Sequence, residues 1–186
     1  GFLLQTFFSN PIAGPYVLGI SSGAKMMVAL AMIIFLKYYT LVSSYILIIA
    51  AFIGSMLSIG FILLLARKIR NMATLLVGGI MIGYICSAVT DFVVTFAEDS
   101  DIVNLHGWSQ GSFSGMSWSN VKVAALMVGI TLILTFFLSK PIGAYQLGEM
   151  YAQSMGVNIR VFRVLLILLS SVFSACVTAF AGPISF

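Results

Sequence analysis

Few side chains in this sequence could carry out chemistry. It has a single histidine, His106, and two cysteines, Cys86 and Cys176, which lie in separate apolar runs. It contains no CxxC pair, no HExxH motif and no glycine-rich loop followed by Lys and Ser/Thr, so the usual patterns of a zinc site, a metalloprotease or a phosphate-binding loop are missing. The sequence therefore predicts no catalytic residue and no bound metal, and both cysteines are interpreted as small hydrophobic residues.

Asp91 is the strongest candidate for a functional ionisable residue, because it falls inside the apolar run at 72–97. Charged groups inside a membrane are costly and are commonly functional. Asp91 could line a transport pathway or relay protons. Alternatively, since it lies towards one end of the run, its carboxylate could reach interfacial water or a neighbouring helix. Lys25, near the start of its own run, could likewise extend its long side chain to the membrane surface.

The composition indicates that lipid is the main solvent of the folded chain. Of 186 residues, 61% are hydrophobic and 8% are charged, whereas an average soluble domain is about 45–50% apolar and about 25% charged. These proportions exclude a soluble globular domain and a disordered tail. The net charge of +4 comes from basic residues spread over separate loops. A nucleic-acid-binding surface needs them on one face, so no nucleic-acid partner is expected.

Five apolar stretches approach or exceed the roughly 20 residues that a helix needs to cross a hydrocarbon core. They cover approximately residues 18–36, 41–66, 72–97, 120–139 and 161–181, and residues 1–9 have the character of the end of a further helix. Barrel strands are about 10 residues long and alternate in polarity, unlike these stretches. The sequence predicts an all-α, polytopic membrane helix bundle. Residues 1–186 are expected to form a single transmembrane domain that is incomplete at both ends.

The distribution of Lys and Arg predicts the orientation of the bundle, because successive links must alternate between the two sides of the membrane. One side carries six basic residues in its links and the other carries two. They are Arg67, Lys68, Arg70, Lys140, Arg160 and Arg163 on the first side, and Lys37 and Lys122 on the second. Basic loops are enriched in the cytoplasm, so the first side is predicted to be cytoplasmic.

A short amphipathic helix is predicted in the cytoplasmic link between the fourth and fifth stretches. Leu147, Met150 and Tyr151 have the i, i+3, i+4 spacing of one helix face, and Gly148 and Gly156 are start and stop signals. Two interpretations remain open: the helix could lie on lipid, or it could bind a soluble partner. Its polar face carries few basic residues, which favours a partner, because helices that lie on lipid usually carry Lys or Arg there.

Five segments resemble signature motifs of the FecCD-type permeases, the membrane subunits of ABC importers for iron–siderophores, haem and vitamin B12. They occur in the family's order as NPIAGPYVLGISSGA at 10–24, LVGGIMIG at 76–83, WSQGSF at 108–113, LGEMYAQSMG at 147–156 and AGPISF at 181–186. Each motif is weakly specific alone. Together they extend over essentially the whole chain and point specifically to this family.

The resemblance implies a ten-helix fold, of which this chain would hold the end of the second helix through the seventh. It implies an ATP-driven importer of an iron chelate (siderophore), haem or cobalamin that works by alternating access in the bacterial cytoplasmic membrane. The expected partners are membrane lipid, ATP-binding cassette subunits, an extracytoplasmic substrate-binding protein and a second permease subunit in a homodimer or heterodimer. ATP would be used by the cassette subunits, so this chain would bind no cofactor and would not be an enzyme.

The same resemblance assigns candidate site residues. The coupling contact with the ATPase would be made by Leu147, Gly148, Glu149, Met150, Ala152, Met155 and Gly156. The helix from Ala73 to Ala97 resembles one that lines the family's pathway, and its candidate lining residues are Gly79, Gly83, Ser87 and Asp91.

Two other classes of protein stay open. An ion-coupled secondary transporter or channel would need ion-binding groups inside the membrane and often has internal repeats. Asp91 is the one strong candidate for such a group, and the sequence shows no repeat. An intramembrane enzyme would need paired Asp, His or Ser groups at one depth, and the sequence offers no such pair.

Overall fold

The structure is a computed structural model that describes residues 1–10, 14–36, 44–69, 71–114 and 116–184. Throughout these ranges the regular secondary structure is helical, which confirms the predicted all-α class. Some predicted features lie outside the described residues: Lys37, Arg70, the start of the second predicted span and parts of the first and last motifs.

Nine α-helices and one 3₁₀ turn make up the described chain. In order they are α1 (Phe2–Phe8), the 3₁₀ turn (Pro15–Leu18), α2 (Ile20–Leu36), α3 (Ser44–Lys68), α4 (Met72–Val94), α5 (Asp99–Gln110), α6 (Trp118–Phe137), α7 (Ser139–Gln146), α8 (Glu149–Ser154) and α9 (Ile159–Ala181). Side-chain caps fix the starts of three long helices. Asn71, Ser117 and Asn158 each accept a hydrogen bond from a backbone N–H in the first turn of α4, α6 and α9.

Four of the five predicted spans form helices that are long and apolar enough to cross a membrane, namely α3, α4, α6 and α9. The first predicted span is different. Within the described residues α2 has 17 residues, which rise about 25 Å. Gly19, with φ of 66°, separates α2 from the 3₁₀ turn before it. Within the predicted span at 18–36, the structure therefore has the end of a 3₁₀ turn followed by α2.

Two further helices, α5 and α7, lie in the links between the spans, where the sequence analysis predicted no helix at these positions. Helix α5 has Asp99 and Asp101 in its first turn, where their charge is favourable to the helix dipole, and it ends at Gly111 with φ of 68°. Helix α7 buries Ile142 and Tyr145 on one face. Both helices are too polar on average to be recognised as membrane spans. They are ordered because they pack against the ends of the bundle.

Helices α2 and α3 approach each other closely at Gly23 and Gly54. A Cβ atom added to Gly54 would overlap the carbonyl group of Gly23, and one added to Gly23 would lie 2.7 Å from the Gly54 carbonyl oxygen. Around this crossing, Ala51 and Ser55 are fully buried. Small residues allow membrane helices to approach closely and gain van der Waals contact, so this crossing depends on having no side chain at either glycine.

Helix α9 is the most enclosed of the four long spans, and it packs against α1, α2, α3 and α6. Its first turns contact α8. At its other end, the Ser112 N–H, just after α5, donates a hydrogen bond of 2.8 Å to the Ala181 carbonyl. One end of the bundle therefore carries α7 and α8, the other carries α5, and α9 runs between them.

Candidate functional site

Helix α8 is short and is bounded by two glycines. Gly148 precedes it with φ of 124° and Gly156 follows it with φ of 83°, both in the region that residues with a side chain rarely adopt. A Cβ atom at either glycine would meet nothing within 4 Å, so the backbone conformation, and not lack of space, favours glycine there. The predicted short helix is present, with the predicted start and stop glycines, and runs over Glu149–Ser154.

Large apolar side chains around α8 are exposed. Four side chains share this property: Leu147 is 71% exposed, Met150 86%, Tyr151 49% and Met155 62%. Exposed apolar residues that occur singly are ordinary, but contiguous apolar patches usually mark a surface that contacts a protein or a membrane. This group, called here the α8 apolar surface, is the candidate binding surface of the chain.

Ala152 lies on the opposite side of α8, inside the bundle. It is fully buried and belongs to the same core cluster as Tyr145, Ile159 and Phe162. The sequence analysis placed Ala152 in direct contact with a partner, and its burial is incompatible with that role. Its small side chain instead lets α8 pack closely against the neighbouring helices of its own chain.

Glu149, the first residue of α8, is already engaged within the chain. One of its carboxylate oxygens accepts a hydrogen bond from an Nη atom of Arg163 at 2.5 Å, with 44% of the Glu149 side chain and 25% of the Arg163 side chain exposed. Arg163 lies in the early part of α9. The pair therefore joins α8 to the most enclosed helix of the bundle.

The candidate pathway residues Gly79, Gly83, Ser87 and Asp91 share one face of α4, because each is four residues from the next. The structure divides this face in two. A Cβ on Gly79 would lie 2.7 Å from the Val17 carbonyl oxygen, and one on Gly83 would lie 3.5 Å from the Gly19 Cα. These glycines are thus covered by the turn in front of α2. Ser87 and Asp91 are exposed, so only this half of the face is open.

Asp91 lies in the last turn of α4, near the end of the bundle that carries α5. Its backbone carbonyl accepts a hydrogen bond from the Thr95 hydroxyl, and its side chain is exposed. Among the described residues, no Lys, Arg or His forms an ion pair with its carboxylate. This position fits the interpretation in which Asp91 reaches interfacial water. Across the same described ranges, no cluster of three or more His, Cys, Asp or Glu side chains could hold a metal ion.

Comparison with known proteins decides the family. All of residues 1–186 match the FecCD transport family. The chain belongs to the FecCD transport family. This confirms the assignment made from the five motifs.

Two relatives within the FecCD family have names that differ in the compound transported. The chain is 34% identical over 187 residues to the hemin transport system permease protein HmuU of Yersinia pestis, covering 100% of this chain and 56% of that protein. It is also 34% identical over 187 residues to the vitamin B12 import system permease protein BtuC of Vibrio parahaemolyticus, covering 100% of this chain and 55% of that protein. The chain thus spans slightly more than half the length of these relatives.

The FecCD fold is also seen in a solved structure. That structure is described as an inward-facing conformation of a metal-chelate type ABC transporter. It superposes with a TM-score of 0.85 at 22% sequence identity, covering 98% of this chain and 57% of the other. The helices described above therefore share the fold of the matching part of that structure.

In this FecCD chain, four of the five motifs meet in pairs. In the first pair, a Cβ on Gly19 would lie 2.9 Å from the Gly83 backbone nitrogen, so the first motif packs against the second. In the other pair, a Cβ on Gly182 would lie 2.7 Å from the Trp108 carbonyl oxygen and 2.9 Å from the Gly111 Cα. The glycines that carry the resemblance are thus contact points between helices, and their role is to hold the bundle together.

Arg163 is the residue at this site that the sequence analysis did not single out. It was counted only among the basic residues that predict orientation. Its partner, Glu149, is 14 residues away, which is not the three- or four-residue spacing of a pair on one helix. The sequence indicated only that Glu149 and Arg163 carry opposite charges and are predicted to lie on the same side of the membrane.

Proposed function

We propose that this chain is part of the permease subunit of an ATP-driven importer in the bacterial cytoplasmic membrane. Its cargo would be an iron chelate (siderophore), haem or cobalamin. Membership of the FecCD family and relatives named as hemin and vitamin B12 permeases support this proposal. The observation that carries it is the α8 apolar surface, held on one end of a multi-span bundle.

The proposed occupant of the α8 apolar surface is an ATP-binding cassette subunit. A short helix that inserts apolar side chains into a groove is a common mode of protein recognition. Met150 and Met155 suit this role, because methionine is unbranched and adapts to an irregular groove. The cassette subunit would use the ATP, and this chain would contribute no catalytic residue and bind no cofactor.

A helix that lies on lipid is the other possible explanation of the exposed apolar side chains. Such helices usually carry Lys or Arg on their polar face, whereas α8 reads EMYAQS and contains none. Its single charged residue is Glu149, which is acidic and is paired with Arg163, so α8 itself offers no cation to anionic lipid. The charge of α8 therefore favours a protein partner.

The proposed coupling starts from the way in which α8 is attached. Ala152 seats α8 in the core, and Glu149 binds Arg163 of α9. A displacement of a bound cassette subunit would therefore move α8 together with the start of α9. Helix α9 packs along four other helices, so this motion would change the relative positions of the spans, as alternating access requires. A second permease subunit, identical or different, would complete the pathway, and an extracytoplasmic binding protein would deliver the cargo.

An ion-coupled mechanism predicts that Asp91 is essential, and the proposed ATP-driven mechanism predicts that it is not. We expect Asp91→Asn in the complete protein, reconstituted with its partner subunits, to keep uptake within about twofold of wild type, since surface substitutions of this kind change free energies by about 0.5 kcal/mol or less. The measurement is uptake of haem, cobalamin or an iron chelate into proteoliposomes, with and without ATP available to the cassette subunits.

Omission of ATP is the control in this experiment, and it should abolish uptake in both proteins. Uptake that persists without ATP, follows an ion gradient and disappears in Asp91→Asn would reject the importer proposal in favour of an ion-coupled transporter.

A further inference from the structure

We propose that Arg163 is a positioning residue that holds α8 in its docking orientation by binding Glu149, so that Glu149 serves its own chain and not the ATPase. The inference rests on the proposed function, because the orientation matters when a cassette subunit binds the α8 apolar surface. It differs from the assignment by resemblance, in which Glu149 belongs to the contact with the partner.

The backbone of Arg163 is fixed by its neighbours on α9. Phe162 and Leu166 are buried members of the core cluster, which sets the rotation of α9 at this point. The Arg163 side chain lies at the edge of that cluster, partly covered, and reaches the first residue of α8. The guanidinium group is thus held by a rigid helix and is directed at a short one.

Helix α8 needs such an attachment because it has little stability of its own. It contains six residues, and no side chain caps its start. Isolated helices shorter than about 12–15 residues are marginal even when their sequence favours helix formation. Ala152 contributes a single small side chain to the core, which fixes one point of α8. Helix α8 also packs against α7, and the bond between Glu149 and Arg163 ties its first residue to α9.

The guanidinium group has a buried donor that is not used in the described structure. The Nε atom of Arg163 is buried and has no hydrogen-bond partner among the described residues. Arg can bind a carboxylate through two parallel N–H bonds, and one carboxylate oxygen of Glu149 is bonded in the structure. If the Glu149 carboxylate also accepted a hydrogen bond from Nε, the pair would be bidentate.

A charge-reversal experiment tests the assignment. The variants are Glu149→Arg, Arg163→Glu and the double exchange, made in the complete protein co-expressed with its cassette subunit, with Arg163→Lys as the conservative change. Arg160→Glu is the matched control, because Arg160 lies on the same helix, is exposed and forms no ion pair among the described residues. The first readout is amide hydrogen exchange of residues 149–157 in lipid nanodiscs, and the second is the amount of cassette subunit that copurifies.

We expect each single reversal to speed exchange in residues 149–157 by about threefold to tenfold, as loss of a partly exposed charge-assisted hydrogen bond implies, and to reduce copurification of the cassette subunit. The double exchange should restore both readouts, and Arg163→Lys should restore part of them. Arg160→Glu should leave the exchange of residues 149–157 unchanged.

Unchanged exchange in the single reversals would overturn the positioning role, as would a double exchange that fails to restore protection. The proposed function can fail separately. If exchange responds as expected but the wild-type protein binds no cassette subunit, Arg163 does position α8, and the ATPase is the wrong partner.

Discussion

Gly54→Ala should strongly destabilise the bundle, although it adds a single methyl group to a helix. The new Cβ would overlap the carbonyl group of Gly23 across the crossing of α2 and α3. Because the obstacle is backbone, it cannot turn aside as a flexible side chain could, and the two helices must separate. Overpacking of this kind typically costs about 1–3 kcal/mol and occasionally more. The measurement is the temperature at which half of the purified complete protein loses its monodisperse peak in detergent.

Gly60→Ala is the matched control, because Gly60 lies on the same helix and a Cβ there would meet nothing within 4 Å. Alanine in a helix interior is more favourable than glycine by about 0.5–1 kcal/mol, so this variant should be as stable as wild type or slightly more so. Equal melting temperatures for Gly54→Ala and Gly60→Ala would show that α2 and α3 do not approach as closely as described.

Ala152→Arg should weaken assembly with the cassette subunit but leave the bundle able to fold. Ala152 is fully buried, and a long charged side chain cannot fit there without displacing α8. A forced fit would combine overpacking with a buried unpaired charge, and together these cost about 3 kcal/mol or more. Detachment of α8 from the core should cost less free energy than a forced fit, and it leaves the spanning helices packed. We expect at least about a tenfold loss of copurified cassette subunit, the factor that 1.4 kcal/mol produces, with normal membrane insertion.

Gln153→Arg is the control for this charge, since Gln153 is the next residue of α8 and is exposed. It should retain far more of the cassette subunit than Ala152→Arg, because its side chain is not packed in the core. If both variants bound the cassette subunit at wild-type levels, the packing of Ala152 in the core would have no influence on docking. The attachment of α8 described here would then be wrong.

The spanning helices could be predicted from the sequence because lipid imposes a strict requirement. A helix that crosses a hydrocarbon core needs a long apolar run, and the runs that became α3, α4, α6 and α9 meet it. Helices α5 and α7 could not be found in this way. They lie at the ends of the bundle, where water is available, and their order depends on packing against other helices.

The candidate site could be predicted only in part. The spacing of Leu147, Met150 and Tyr151 gave the apolar side of α8, and the two flanking glycines gave its ends. The buried side could not be predicted, because Ala152 is small enough to suit either a core or an interface. The bond between Glu149 and Arg163 depends on how α8 folds back onto α9, which no local pattern in the sequence reports.

The assignment of the α4 face had a similar limit. Gly79, Gly83, Ser87 and Asp91 do share a face, as the helical repeat requires. However, the turn before α2 covers the two glycines, and that long-range contact separates a packed half from an open half. The sequence gives the periodicity of a helix face but not which part of it another segment covers.

If the α8 apolar surface binds an ATP-binding cassette subunit, as we propose, photo-crosslinking from Met150 should detect the contact most directly. Met150 is 86% exposed, so a photoreactive phenylalanine analogue can replace it without entering the core. The same analogue at Leu132, an exposed position within α6, provides the control. In native membranes containing the complete protein and its partner subunits, Met150 should crosslink to a cassette ATPase and Leu132 should not. Crosslinks from Met150 to lipid alone would contradict the account.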